Sequence, residues 1–358
     1  MRYSFNIFVI LLLFIPSKLY SIIISLRNLF YDRKLFTIYN PERPVISVGN
    51  ITVGGTGKTP FVSLLCRHFS LQGKKIGVVS RGYGGNKSSN DVLIVSDGKG
   101  RIFAGARECG DEPFLLATSL IDVPVLVSKK RSKAIHEALH LFNPDIIVLD
   151  DGYQHRAVSR DANILLIDAT DPFGNYRLLP SGILREPIQN IKRADIVIIT
   201  RAEKDEEFIT LERIIKIHNG KARIFKSGHV FSELVMSEGS KTLKPSELSG
   251  KKVYAFCAIG NPDVFILDIE KLGAKVVGSR FFRDHHRYSQ DDIKSLVDDA
   301  LSASAEMLVT THKDIINMGP IGSLQLPLYY ARIQAVVHES EQFFAALEEM
   351  LAKRRSER

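Results

Sequence analysis

The sequence predicts an α/β fold, a mainly parallel sheet with helices on both faces, and three observations carry that expectation. Short apolar runs alternate with stretches of helical periodicity from Val45 to Thr200, a glycine-rich turn joins the first run to the first helix, and the alternation resumes at Lys251 after a polar interruption. Such alternation is the pattern of right-handed βαβ units. Its resumption predicts a second, smaller α/β lobe.

The chain has 358 residues, of which 45% are hydrophobic and 25% charged, a globular composition that excludes wholesale disorder. Cys66, Cys109 and Cys257 lie far apart without a CxxC pair, which argues against a disulfide framework and a cysteine zinc site and suits a reducing compartment. The net charge of +8 points to an anionic partner: a nucleic acid, a membrane surface or a phosphorylated substrate. The nucleic-acid reading has only the charge behind it, with no aromatic-interleaved basic stretch, and no nucleic-acid partner is expected.

Residues 1–36 are expected to form a membrane-associated helical segment. Ile7 to Ile15 is apolar, Pro16-Ser17-Lys18 interrupts, and Leu19 to Phe30 is again mostly apolar. Neither run reaches the ~20 residues a spanning helix needs. Arg2 could open a signal peptide, but no small-x-small cleavage site follows. A helix lying in the membrane interface fits better, with Arg27, Arg33 and Lys34 suited to anionic headgroups. The alternative is a helix buried against the domain.

The first lobe, 37–225, begins with the strand Val45 to Val48, followed by a helix from Lys58. Strands at Ile76 to Ser80, Val123 to Val127 and Ile146 to Leu149 alternate with helices around Glu112 to Leu120 and Ser132 to Phe142. Ile164 to Ile167 and Ile196 to Thr200 read as further strands, and the polar stretch Arg201 to Glu207 breaks the rhythm. A linker is expected between Ala222 and Gly250. The second lobe, 226–358, reads as strands at Val253 to Ala258, Ala274 to Phe282, Met307 to Thr310 and Leu328 to Val337, with helices near Asp263 to Lys271 and Gln290 to Leu301. The last helix, from Glu339, ends in Lys353-Arg354-Arg355, cations that suit a helix C-terminus.

The segment Val45 to Pro60, VISVGNITVGGTGKTP, is a phosphate-binding loop. Backbone N–H groups around Gly54, Gly55, Thr56 and Gly57 can converge on phosphate oxygens where side chains would obstruct. Lys58 would then reach the β/γ-phosphates of ATP and the Thr59 hydroxyl would ligate Mg²⁺. Thr52 stands where the strict pattern has its first glycine, so the motif is a variant. The fold is thus P-loop NTPase-like, with ligands at the C-terminal ends of the strands.

DIIVLDDGYQHR, Asp145 to Arg156, is an apolar strand ending in Asp150-Asp151, placed to hold Mg²⁺ or its waters beside Thr59. Gly110-Asp111-Glu112-Pro113 opens a helix; the acids could simply cap it, or Asp111 could act as a general base. Arg185-Glu186-Pro187 could bring a cation and a carboxylate to the phosphates, or form a surface ion pair. Asp284-His285-His286 pairs a carboxylate with imidazole, which suits proton handling, although such histidines are often ordinary loop residues. HEALH at His136 to His140 matches a zinc-protease pattern. The buried stripe Ile135, Ala138, Leu139 and Phe142 turns its histidines toward solvent, and no third ligand follows.

Together these pieces resemble the tetraacyldisaccharide 4'-kinase family over almost the whole chain. The resemblance rests on GNITVGGTGKTP at Gly49 to Pro60, SRGYG at Ser80 to Gly84, GDEP at Gly110 to Pro113, DDGYQHR at Asp150 to Arg156, LREP at Leu184 to Pro187, DHH at Asp284 to His286 and THKD at Thr311 to Asp314. Tyr153 stands where the family usually has phenylalanine. The resemblance implies transfer of the γ-phosphate of ATP to the 4'-hydroxyl of the tetraacyldisaccharide 1-phosphate precursor of lipid A. It implies a site on the cytoplasmic face of the inner membrane of a Gram-negative bacterium and no obligate protein partner. It implies Asp111 as base paired with His285, Asp284 as a neighbouring functional acid, and Lys58 as phosphate clamp. Thr59 and Glu186 are implied as Mg²⁺ ligands, Asp150 and Asp151 as acids near the metal, and Arg131 and Arg185 as cations for phosphate. A base on one lobe and a histidine on the other implies closure before chemistry.

The rival is a membrane-recruited NTPase switch regulating a protein partner. Guanine-specific switches present Asn/Thr-Lys-x-Asp at a strand end; Thr311-His312-Lys313-Asp314 has its lysine one place late.

Overall fold

A computed structural model describes residues 12–86, 91–238, 241–319 and 321–356. Arg2 and most of the Ile7 to Ile15 run lie outside the described residues, as do the side chains of Arg354 and Arg355. In chain order the elements are α1 (Phe14–Asp32), β1 (Val45–Gly49), α2 (Lys58–Leu71), β2 (Ile76–Ser80), β3 (Leu93–Asp97), α3 (Ala106–Cys109), α4 (Asp111–Ser119), β4 (Pro124–Val127), α5 (Arg131–Phe142), β5 (Ile146–Leu149), β6 (Ala162–Asp168) and β7 (Ile196–Thr200). They continue with α6 (Asp205–His218), β8 (Arg223–Met236), β9 (Thr242–Leu243), β10 (Lys252–Cys257), α7 (Pro262–Lys271), β11 (Lys275–Phe281), α8 (Gln290–Ser302), β12 (Met307–Thr311), α9 (His312–Met318), β13 (Leu328–Val337) and α10 (Ser340–Ser356).

The described residues divide into two compact units, one within residues 229–334 and the other within residues 12–228 and 335–356. In the larger unit the strand order is β3-β4-β2-β5-β1-β6-β7-β8. Every described pairing is parallel except that of β3 with β4. β1 is buried along its whole length, as an apolar strand covered on both faces must be. The chain crosses from one side of β1 to the other between β5 and β6, so ligands are expected outside its C-terminal end. The last helix packs here: Phe343 is fully buried, with its ring 5.7 Å from Phe61 and 5.5 Å from Phe225.

In the smaller unit β10 pairs in parallel with β11 and β12, and β12 with β13. The C-terminal part of β8 pairs antiparallel with β9. The stretch expected as a linker is therefore largely strand, because β8 runs for 14 residues with inward residues such as Phe225, Leu234 and Val235. The polar interruption at Arg201 is the entry to α6, whose first turn carries Asp205, Glu206 and Glu207, acids that favour a helix N-terminus.

α1 inverts the usual surface-helix pattern. Ser17, Ile24 and Asn28 are buried against the unit, whereas Ile15, Leu19, Ile22, Ile23, Leu26 and Leu29 are exposed. The docked face is held by polar contacts: Ser17 Oγ donates to the Leu178 carbonyl at 2.9 Å and Tyr20 Oη to the Arg185 carbonyl at 2.9 Å. No helix among the described residues is long and apolar enough to cross a membrane. On α5, Ala134, Ile135 and Ala138 are buried while His136 and His140 are exposed, as the stripe predicts. The three cysteines are free and buried, and burial pushes the Cys109 and Cys257 thiols up to about 12.

Candidate active site

The phosphate-binding loop runs from β1 into α2. Gly54 (φ 108°) and Gly57 (φ 81°) adopt positive-φ backbone that favours glycine. Gly49 closes β1 for a different reason. A Cβ there would stand 2.7 Å from Tyr153 Cβ and the Tyr153 amide nitrogen, so the bare backbone lets the acidic turn lie against the loop. Phe and Tyr share the Cβ that makes this contact; the Tyr153 hydroxyl donates to the Asn190 carbonyl at 2.6 Å.

Lys58 is only 6% exposed, with Nζ 3.8 Å from Asp151 Oδ1. Arg185 Nη1 donates to both oxygens of the same carboxylate, at 2.9 and 2.8 Å. Asp151 holds a left-handed backbone, φ 49°, an uncommon state for a non-glycine residue that persists only where its surroundings enforce it. Buried Arg131 does so, donating from Nη2 to the Asp150 carbonyl at 3.2 Å and the Asp151 carbonyl at 2.9 Å. Burial works against ionisation of Asp151, but Lys58, Arg185 and Arg131 together hold its pKa down at about 2. Burial also lowers the Arg131 guanidinium to about 10, still a cation at neutral pH.

Asp150 behaves oppositely. It is fully buried, Ser80 Oγ donates to its Oδ2 at 2.9 Å, and its Oδ1 has no hydrogen-bond partner among the described residues. Burial, then the charges of Glu112 and Asp151, push it up to about 7 against the pull of Lys58. A buried carboxylate oxygen without a partner beside a phosphate loop has the chemistry of a hard-cation ligand. The Thr56 hydroxyl and both ends of the Asn50 amide are also buried and have no hydrogen-bond partner among the described residues. The donor set fits Mg²⁺ and phosphate oxygens.

The SRGYG and GDEP segments meet. A Cβ on Gly110 would stand 2.4 Å from the Tyr83 carbonyl, and one on Gly85 would stand 2.4 Å from the Glu108 carbonyl. Glycines at both positions let the two backbones touch and set Asp111 and Glu112 at the first turn of α4. In the sequence Glu112 stands as a helix cap; in the folded chain its charge raises the pKa of Asp150, a relation that arises only when β5 and α4 are brought together.

Glu186 is placed differently from Asp151. Its buried carboxylate accepts from Arg193 Nη2 at 2.8 Å, Asn190 Nδ2 at 2.8 Å and Asn28 Nδ2 at 3.0 Å. The LREP segment thus contributes one residue to the phosphate-loop cluster and one to the seat of α1.

In the smaller unit, Lys313 Nζ lies 2.8 Å from Asp284 Oδ1 and 3.4 Å from His285 Nε2. His285 Nε2 is 3.9 Å from Asp284 Oδ2, on a left-handed backbone of φ 62°. His286 is built into the scaffold, stacked on Phe282 at 4.6 Å and bonded through Nε2 to Asp292 Oδ2 at 3.0 Å. Asp292 in turn completes the Ser289 cap of α8. Asp314 is fully buried and accepts from the Ala258 amide, the Tyr288 hydroxyl and Thr311. A carboxylate so occupied is not free to read a guanine base, so THKD supplies a scaffold acid and the cation Lys313.

A family model described as Tetraacyldisaccharide-1-P 4'-kinase matches residues 9–352. The chain is similar to the tetraacyldisaccharide 4'-kinase of Geobacter metallireducens, at 38% identity over 91% of this chain and 93% of that one. It is similar to the Syntrophus aciditrophicus enzyme of the same name, at 39% over 95% and 93%. Among solved structures it resembles "apo" form LpxK from Aquifex aeolicus in complex with ATP, with TM-score 0.76 and 31% identity, over 96% of this chain and 99% of that one.

Proposed function

Since this chain belongs to the tetraacyldisaccharide-1-P 4'-kinase family, we propose that it transfers the γ-phosphate of ATP to the 4'-hydroxyl of the tetraacyldisaccharide 1-phosphate precursor of lipid A. It is a kinase of lipid A biosynthesis that uses ATP and Mg²⁺. The observation that carries the residue roles is the pairing of a buried, unpartnered Asp150 oxygen with the Lys58, Asp151 and Arg185 cluster beside the glycine loop.

The loop amides and Lys58 bind the β- and γ-phosphates. Asp150 and Thr59 would hold Mg²⁺, which when bound offsets charge on the phosphate oxygens. Asp151 keeps Lys58 and Arg185 in place, and Arg131 fixes the turn. Glu186 already accepts from Asn28, Asn190 and Arg193, so any share it takes of the metal competes with these partners. Asp111 accepts the proton of the attacking hydroxyl. In the smaller unit Asp284 and Lys313 orient the His285 imidazole, which serves as a second proton-handling group. His285 is the better candidate of the two histidines because His286 is committed to Phe282 and Asp292.

The exposed apolar face of α1 supports a seat in a membrane interface; the kinase reading puts that interface on the cytoplasmic face of the inner membrane, with no obligate protein partner. The assignment is tested by single-turnover transfer and ATP binding in Lys58→Ala, Asp111→Ala and His285→Ala. Lys58→Ala should impair nucleotide use, while the other two lose transfer and keep ATP affinity; equal loss of ATP binding in all three contradicts the division of roles.

A further inference from the structure

Beneath the phosphate loop, a residue that no motif marks holds one of its carbonyls. Arg201, directly after β7, donates from Nη1 to the Gly55 carbonyl at 2.9 Å and forms an ion pair with Asp168, the last residue of β6. Asp168 divides its oxygens: Oδ1 accepts from the Thr170 amide at 3.0 Å and hydroxyl at 2.8 Å, leaving Oδ2 for Arg201. The Thr200 hydroxyl lies 3.4 Å from the Thr56 carbonyl and 3.4 Å from that of Ile167. Arg201 reaches this position with φ 56°, a backbone state costly for a side chain of its size.

In a planar trans peptide the carbonyl of one residue and the N–H of the next point in opposite directions. Holding the Gly55 carbonyl toward Arg201 therefore aims the Thr56 N–H the other way, and holding the Thr56 carbonyl toward Thr200 does the same for the Gly57 N–H. These amides belong to the loop that receives phosphate. We propose that Arg201, oriented by Asp168, is a positioning residue that presets the phosphate-binding amides before nucleotide arrives. The inference rests on the kinase reading of this loop and adds to it a device built from the ends of β6 and β7. It acts on any polyphosphate and is indifferent to the base.

The test is equilibrium binding of ATP, ADP and tripolyphosphate to the full chain in detergent, for wild type, Arg201→Ala, Arg201→Lys and Asp168→Asn. Loss of one charge-assisted hydrogen bond predicts about tenfold weaker binding of all three ligands to Arg201→Ala, and a similar direction for Asp168→Asn. Arg201→Lys, which keeps a donor, should recover part of the affinity. Asp168→Asn is nearly isosteric and keeps the question answerable where Arg201→Ala fails to fold. Variants that bind all three ligands as wild type does overturn the inference and leave the kinase reading intact. Loss for ATP with tripolyphosphate unchanged also overturns it, by making Arg201 a contact of the base or ribose. Wild type that binds neither ATP nor tripolyphosphate removes the kinase reading and this inference with it.

Discussion

Arg185 Nη1 contacts both carboxylate oxygens of Asp151, which also lies 3.8 Å from Lys58 Nζ. One carboxylate thus restrains two cations at the mouth of the phosphate loop, and the negative charge it supplies keeps them from repelling each other before phosphate binds.

Arg185→Ala should weaken ATP binding and lower stability together. Both side chains are about a quarter exposed, so solvent screening limits the pair to about 1 kcal/mol, well short of a fully buried bridge. Urea denaturation checks the stability term and nucleotide titration the binding term. A variant with full ATP affinity would show that Arg185 serves only the fold.

Asp150 gives the site a pH dependence. Its folded pKa of about 7 lies above the ordinary carboxylate value, so the folded protein holds an extra proton between the two. Without metal, this group's contribution to stability therefore falls as pH rises through that window. A metal ion must displace the proton, so Mg²⁺ affinity should fall about tenfold per pH unit below about 7 and level off above it. Calorimetric titration of Mg²⁺ into the ADP complex across that range measures the slope; Asp150→Asn should abolish it.

The two adjacent histidines should separate. His285→Ala is expected to lower kcat with little change in melting temperature. His286→Ala removes a ring stack and a bond to the α8 cap, and should cost about 1–2 kcal/mol of stability. Thermal melts and initial rates on both variants decide it; a larger rate loss in His286→Ala after correction for folded fraction exchanges the assignment.

The exposed face of α1 can be charged without touching its docked face. Leu19→Glu combined with Leu26→Glu should shift the protein from vesicles of anionic lipid into the soluble fraction in flotation assays. Asn28 and Ser17, which hold the helix to the unit, are unaltered. Continued flotation of the double variant would place membrane attachment elsewhere.

Much of the site was legible because its chemistry is local. Strand, glycine turn, Lys58 and Thr59 are consecutive, and the same holds for Asp150 and Asp151 at the end of β5. What stayed hidden depends on pairing of distant segments. Glu112 reads as a helix cap until it is set against Asp150, and Arg201 reads as the start of a loop until it meets Gly55. Glu186 reads as a neighbour of Arg185, yet adjacent residues in an irregular segment can face different ways, and its partners are Asn28 and Arg193. β8 reads as a linker in the sequence because its alternation is weak, with residues such as Lys226 and Ser227 between the apolar ones.

Phosphoryl transfer to a lipid sugar is measured directly by incubating the purified protein in detergent with Mg²⁺, ATP labelled on its γ-phosphate and tetraacyldisaccharide 1-phosphate, with Lys58→Ala in parallel. Label in the lipid at the 4'-position, with wild type only, is the predicted result. ATP consumption with no labelled lipid would contradict it and favour a nucleotide switch acting on a protein partner.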